Sequence, residues 1–544
     1  MRFCLPRSYA FVLFLFAPVI LTQTVASPPV PVVFPTGAAT PLGQQVAVIA
    51  AEPAVSRAHW GIAITALDGT PIYGLNEGEF FRPASNNKLF TTAAAMHLLG
   101  PSTHVTTTVV TAGEIDKHGT LKGDLLFTGR GDANLSGRSF PYLSPAERKR
   151  AAQAGPVTQP PDPLRYVDEL ADGIAKKGVK RITGDIVGDD SVWPWEPYAN
   201  DWSIDDAVWG YGAPVSALTV TDNQLELTVN PASTSGKPAT VTLLPETGYY
   251  VVQTNVETVA GGSHANIRID REIGSRIVRA RGTVAIGEPY STEIAIENPA
   301  EFAAQALKKA LEARGIRVDG RALPRHKPDV DLQGFSAESR TPILTLPHAA
   351  QESQQTDATA ARAVEADHVS PSLADDVTLT LKVSQNLHAE LLLRRLGAAY
   401  GTDGSTAQGA RVVRQFLLNA GLDGGDFIFY DGSGLSGHDL VTPRATAKLL
   451  MYATTQPWFA QWKAGLPVGG EDGTLAGRFS QPPLKDHLFA KTGTLSEARA
   501  LSGYLDCASG KTVIFSIMVD NHAPNAPGDR DAMDRIVAAI AQQN

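Results

Sequence analysis

Apolar and polar positions change their spacing several times along the chain. Residues 60 to 66 alternate, Asp68-Gly69 makes a tight turn, and residues 71 to 75 return, which predicts a hairpin. Residues 89 to 99 are helix-prone and stop at Gly100, which predicts a helix beginning near Ser85. From about 104 to 330 short β-prone runs dominate, at 105–110, 121–128, 182–187, 224–229, 239–244, 267–273 and 277–284, most separated by Gly, Asn or Asp. Residues 299 to 314 read as an amphipathic helix ending near Gly315. Helical spacing returns after Leu373 through Leu379, Leu381, Val383, Leu387 and Leu391 to Leu393. The C-terminal part reads strand, strand, strand, helix, at 488–495, 500–507, 512–519 and 529–542.

The 544 residues, 43% hydrophobic and 19% charged, suffice for two to four domains. A formal charge of −9 with no long basic run excludes nucleic acid as the expected partner. Arg2 and Arg7, an apolar stretch over 9–21 and Thr24-Val25-Ala26 read as an export signal over 1–26; the apolar stretch is short for a membrane span and contains Pro18. Cleavage after Ala26 removes two basic residues and no acids, so the charge becomes −9 − 2 = −11. It also removes Cys4, and Cys507 alone forms no intrachain disulfide. Residues 27–44, rich in Pro and small side chains, read as a linker. Residues 345–368, with few large apolar side chains after Leu346, read as a mobile insertion. The expected layout is a first domain part at 45–103, a mainly β insertion of one or two subdomains at 104–330, and a second part at 331–544.

Three short segments carry candidate chemistry. Ser85 precedes Lys88 by three positions, one helical turn, so the amine can reach the hydroxyl. A serine hydroxyl needs a base and an oxyanion site to act as a nucleophile. The helix N-terminus adds positive potential at the serine. Lys88 serves as a base only if its pKa falls, which burial and a second cation, Lys491, would bring about. Ser384-Gln385-Asn386 sits just before a helical run; the hydroxyl can relay a proton and the amide can position Lys88 and bind a carbonyl. In Lys491-Thr492-Gly493-Thr494, Gly493 lets the strand pass close to a ligand, and Lys491 and Thr492 can bind a terminal carboxylate. The backbone N–H groups of Ser85 and Thr494 are the natural oxyanion donors.

Other groups point elsewhere. Asp185, Asp189 and Asp190 flank Gly184 and Gly188 as turn residues would. His97 and His388 sit inside helical patterns and read as structural. No His/Cys zinc spacing occurs, and Gly129-Arg130-Gly131-Asp132 lacks the Lys-Ser/Thr of a phosphate loop. No metal and no cofactor are expected.

In this order, in an exported chain, the three segments resemble the S-x-x-K, S-D-N and K-T-G set of penicillin-interacting serine enzymes. The chain resembles the class C low-molecular-mass penicillin-binding proteins, a D-alanyl-D-alanine carboxypeptidase/endopeptidase family of the bacterial periplasm or cell surface. Asp431-Gly432-Ser433-Gly434-Leu435-Ser436, residues 466–475, Ala490 to Leu495 with Leu501-Ser502-Gly503-Tyr504, Gly131-Asp132, Gly184-Asp185-Ile186 and residues 211–218 also look like family segments. The resemblance implies an α/β transpeptidase-like (serine β-lactamase-like) domain, an antiparallel sheet with flanking helices, interrupted by the large β-rich insertion. It implies Ser85 as nucleophile, Lys88 as base, Ser384 and Asn386 as relay and positioning groups, and Lys491 with Thr492, Gly493, Thr494 and Ser496 around the substrate. Asp132 is a further candidate contact, to a diaminopimelate ammonium. Peptidoglycan peptides would be the substrate and β-lactams covalent inhibitors. One departure is Gly437, where relatives usually carry Arg after Asp-Gly-Ser-Gly-Leu-Ser; His438 follows.

Three functions stay open on this pattern. A DD-peptidase would cleave the D-Ala-D-Ala end or the cross-bridge. A β-lactamase would need a deacylating Glu and a compact chain, whereas about 300 residues separate Ser85 from Ser384. An inactive peptidoglycan-binding protein would not need Ser85, Lys88 and Lys491 all intact.

Overall fold

A computed structural model describes residues 34–35, 40–154, 161–328, 334–348, 363–524 and 526–544. The expected export signal and residues 349–362 of the expected insertion lie outside the described residues.

The chain's two ends build one antiparallel sheet. Its strand order is Pro71–Leu75, His59–Ala66, Thr512–Asp520, Ala498–Asp506, Leu488–Thr494. Side chains alternate across a strand, and here both faces are covered. On Thr512–Asp520, Val513, Phe515, Ile517 and Val519 face one core, shared with the helices Pro41–Ala50 and Gly528–Gln543. Ile514 and Met518 face the other core, built from Asn87–Leu98, Leu373–Lys382, Asn386–Tyr400, Thr406–Asn419 and Pro443–Thr454. The helix Asn87–Leu98 is wrapped almost completely; of its residues only His97 is not buried. Trp462 closes over it and donates from Nε1 to Thr92 Oγ1 at 2.9 Å.

The inserted stretch has a core of its own. A five-stranded sheet runs Ala322–Lys327, Ile186–Pro194, Leu125–Thr128, Thr106–Thr111, Ala363–Val369, with the helices Arg165–Lys176 and Pro299–Ala313 packed into the same core. Two three-stranded sheets and a short four-stranded one complete it. This is the transpeptidase-like architecture with a β-rich insertion.

Several expectations change. The stretch read as a linker to residue 44 becomes helical at Pro41, because Thr40 caps the helix by accepting from Gly43 N at 3.0 Å and Leu42, Val46 and Ile49 are buried. Residues 363–368, read as part of a mobile insertion, form a sheet strand instead, pairing antiparallel with Thr106–Thr111. This strand is held by backbone bonds at a sheet edge, so it needs few large apolar side chains. It also returns the chain to the inserted sheet after residue 330. The helix Arg165–Lys176 buries Val167, Leu170, Ala171 and Ile174, a helical spacing in a region read as β. Asp189 and Asp190 are strand residues paired with Arg325 and His326, not turn residues.

Ile517 is fully buried in the central sheet. Ile517→Ala is expected to lower the unfolding free energy by about 2–5 kcal/mol, the usual range for a buried large-to-small change. Urea denaturation measures it, and a loss under about 1 kcal/mol would place Ile517 outside the core.

Candidate active site

Ser85 lies in the single turn Ala84–Asn86 that leads into the helix Asn87–Leu98. The turn is wedged between two glycine contacts. Ala84 adopts φ 46°, unusual for a residue with a side chain. Its carbonyl packs on Gly434, where a Cβ would stand 1.8 Å away and φ is +83°. A Cβ on Gly493 would stand 2.6 Å from the Pro83 carbonyl. Asn86 Nδ2 donates to the Lys491 carbonyl at 3.0 Å, tying the turn to the edge strand Leu488–Thr494.

Lys88 is fully buried. Its Nζ lies 2.9 Å from Ser85 Oγ, 2.7 Å from Asn386 Oδ1 and 2.7 Å from the Ser433 carbonyl. Burial lowers its pKa to about 7 against the opposing pull of Asp431, Glu390 and Asp439. As a free amine it has two N–H groups, which match the two carbonyl oxygens, and one lone pair, left for the Ser85 O–H. That is the geometry of a base aimed at a nucleophile.

Lys491 is also fully buried, with Nζ 2.8 Å from Ser384 Oγ and 2.8 Å from the Thr492 carbonyl. Burial, and then the charge of Lys88, hold its pKa well below the usual lysine value. Ser384 adopts φ 60°. Gln385 caps the helix Asn386–Tyr400 by accepting from Leu387 N, and Asn386 is that helix's first residue. Asn386 Nδ2 donates to the Tyr211 carbonyl at 2.9 Å, which fixes the amide with Oδ1 toward Lys88. Thr492 Oγ1 lies 2.8 Å from Thr474 Oγ1. The structure thus brings Ser85, Lys88, Ser384, Asn386, Lys491, Thr492 and Gly493 together, with Thr494 exposed at the end of the same strand.

Two candidates stand apart. Asp132 is buried, accepts from Asn134 N at 2.8 Å and lies 3.6 Å from His368 Nε2. Burial pushes its carboxyl up to about 7 against the Asn134 hydrogen bond. One of its oxygens closes an Asx-type turn inside the inserted stretch. Ser496 is exposed in the turn closed by Leu495 N donating to the Ala498 carbonyl. Among the described residues it makes none of the hydrogen bonds that join the other groups.

Further groups belong to the site. Asp431 accepts from Ser433 N, Gly434 N, Ser436 N and Trp202 Nε1, shaping the turn that supplies the Ser433 carbonyl. Asn87 Nδ2 bridges Asp431 and Asp439. Burial, and then Asp431, hold the Asp439 carboxyl well above the usual range. Beneath Gln385, the fully buried His388 lies 2.6 Å from Asp376 and 3.4 Å from Asp222. Arg138 pairs with Asp222 at 2.5 Å, and Gln385 Nε2 donates to it at 3.3 Å. Burial opposes charge on His388, but Asp376 and Asp222 outweigh it and raise its pKa to about 9.

A family model described as the D-Ala-D-Ala carboxypeptidase 3 (S13) family matches residues 42–343 and 349–540. A D-alanyl-D-alanine carboxypeptidase of Actinomadura sp. (strain R39) is 31% identical over 501 residues, 90% of this chain and 82% of that protein. The D-alanyl-D-alanine carboxypeptidase DacB of Haemophilus influenzae is 26% identical over 458 residues, 82% of each chain. The crystal structure of penicillin-binding protein 4 from Haemophilus influenzae matches with a TM-score of 0.73 at 22% identity, over 92% of this chain and 98% of that one, and shares the fold.

Gly434→Ala puts a Cβ onto the Ala84 carbonyl at a left-handed backbone position. It is expected to cost at least about 1–3 kcal/mol of stability and to slow acylation of Ser85 by a labelled penicillin. Unchanged labelling would separate this turn from the nucleophile.

His388 gives a pH signature. A histidine whose pKa rises from about 6.5 to about 9 on folding stabilises fully below about 6.5 and loses that contribution as pH climbs through 9. The stability gap between wild type and His388→Gln should therefore be widest below pH ~6.5, on the order of 3 kcal/mol, and shrink toward pH 9. Denaturation at several pH values measures it; a gap that grows with pH would reverse the assignment.

Proposed function

The chain belongs to the D-Ala-D-Ala carboxypeptidase 3 (S13) family, and from that premise we propose that its serine-peptidase chemistry runs through Ser85 as nucleophile and Lys88 as base. It is a serine-type DD-peptidase, cleaving the bond between D-amino acids in peptidoglycan. The observation that carries the assignment of residues is the Lys88 amine held between Asn386 Oδ1 and the Ser433 carbonyl with Ser85 Oγ at 2.9 Å.

In the proposed sequence, the Ser85 proton passes to Lys88 as Oγ attacks the carbonyl between the two D-alanines. The backbone N–H groups of Ser85 and Thr494 hold the oxyanion. The terminal carboxylate sits against the hydroxyls of Thr492 and Thr494, with Lys491 behind them. The departing D-alanine amine takes a proton from Ser384, 2.8 Å from Lys491 Nζ, and Ser384 is refilled by the proton that Lys88 took from Ser85, leaving Lys88 a free amine again. Water then attacks the Ser85 ester as Lys88 takes its proton, which returns to Ser85 Oγ as the ester bond breaks. A β-lactam supplies a strained amide in place of the peptide and leaves the same serine acylated. The substrate places the enzyme in the cell envelope; among the described residues no helix is long and apolar enough to cross a membrane.

The substrate's side-chain end meets a different surface. Gly437 carries no cation, a Cβ there would stand 2.8 Å from Asp201 Oδ2, and Asp201 pairs with His438 at 3.1 Å. This arrangement supports a weaker preference for diaminopimelate peptides than in Arg-bearing relatives.

Labelled penicillin is expected to attach to Ser85, as read by peptide mass analysis, and Ser85→Ala to abolish the label; attachment to another serine would refute the nucleophile. Lys88→Arg keeps charge without a usable base and is expected to slow acylation by at least about 10²-fold. Acylation by wild type is expected to rise with pH around a midpoint near 7, as Lys88 loses its proton. Gly437→Arg is expected to raise kcat/KM for diaminopimelate peptides relative to simple D-Ala-D-Ala peptides, and more so combined with Asp201→Asn. An unchanged ratio in both would assign that discrimination to other residues.

A further inference from the structure

Glu390 belongs to none of the sequence motifs, yet it stands one helical turn after Asn386 on the helix Asn386–Tyr400. Positions four apart share a helix face. Asn386 accepts directly from Lys88. Glu390 accepts from Gly432 N at 3.0 and 3.1 Å and from Ser433 N at 2.8 Å. The carbonyl of that same Ser433 is the other acceptor of Lys88. One helix face therefore governs both oxygens that orient the amine, one by contact and one through a turn.

Glu390 is 1% exposed. Burial, and then Asp431, raise its carboxyl to about 8, with its N–H donors and Lys88 opposing. It is therefore mainly neutral where Lys88, held at about 7, gives up its proton. A neutral acid keeps its oxygens on the Gly432 and Ser433 N–H groups, so what it supplies to the amine is position. A shorter side chain would leave those N–H groups, and with them the Ser433 carbonyl, unheld.

We propose that Glu390 is a positioning residue for the general base: through the Gly432 and Ser433 N–H groups it holds the Ser433 carbonyl against Lys88 Nζ. This rests on Lys88 being the base. Glu390→Gln retains an acceptor of the same length, whereas Glu390→Asp withdraws the grip on Gly432 and Ser433.

Two variants test this, with acylation by a chromogenic β-lactam followed from acid to neutral pH. Glu390→Gln keeps an acceptor for both N–H groups. Its acid limb is expected to stay within about half a pH unit of wild type, with the plateau within about tenfold. Glu390→Asp is expected to leave the limb near its wild-type position and lower the plateau by about 10²-fold, the cost of a misplaced catalytic group. A Glu390→Gln limb lower by a full pH unit would assign Glu390 a charge role and overturn positioning as its contribution. A wild-type plateau in Glu390→Asp would overturn the positioning. Lys88→Arg run alongside identifies which assignment fails: if it acylates near the wild-type rate, Lys88 is not the base and the failure lies there rather than with Glu390.

Discussion

A lysine amine with no exposure to water, aimed at a serine by two carbonyl oxygens, is the constraint that the rest of this structure serves. Left in water, the amine would be protonated and useless as a base at neutral pH. Burial strips the proton but also removes the solvent that would accept the positive charge during reaction. The acids beneath the site answer the second problem without undoing the first. Three buried carboxyls surround one amine, and burial, then the nearness of Asp431, restrains Glu390 and Asp439 from ionising. The site is therefore poised by burial and acid charge working against each other.

Much of this was legible in the amino-acid order, and the reasons for the rest are physical. Ser85 and Lys88 are three positions apart, so local helix geometry reveals their meeting. Lys491 and Ser384 are recognisable by type, and the hairpin at Asp68-Gly69 and the three C-terminal strands by alternation. Glu390 and the Ser433 carbonyl were not legible: one looks like any polar helix position, and the other is a backbone atom with no side-chain signature. Asp132 is ambiguous in the amino-acid order, because a Gly-Asp pair reads alike whether the carboxylate faces a cleft or caps its own turn. The strand Ala363–Val369 was hidden by its composition, since backbone pairing at a sheet edge leaves few apolar marks. The helix Arg165–Lys176 carried a clear spacing, but its β-prone neighbours masked it.

The inserted stretch is part of the catalytic wall. Tyr211 supplies the carbonyl that fixes the Asn386 amide, and Trp202 donates to Asp431. Asp222, in a run of three left-handed residues, reaches Gln385 and His388. Tyr142 accepts from Gly473 N beside Thr474. Segments bearing Asn386, Ser433 and Thr474, the hydroxyl partner of Thr492, are each met from the insertion. A change in its loops therefore alters the surroundings of the candidate catalytic groups directly.

The pairing of His59–Ala66 with Thr512–Asp520 joins the two ends of the chain in the middle of one sheet. Ser85, the proposed nucleophile, is made some 400 residues before the strand bearing Lys491, as the Asn86-to-Lys491 contact records. Until the final strands arrive, the turn holding Ser85 lacks that contact, and the early hairpin lacks its neighbour. Contacts of such long reach are slow to find and leave strand edges open while they wait. On the proposed assignments, the polypeptide is therefore expected to stay unreactive toward substrate and antibiotic until those last strands pair.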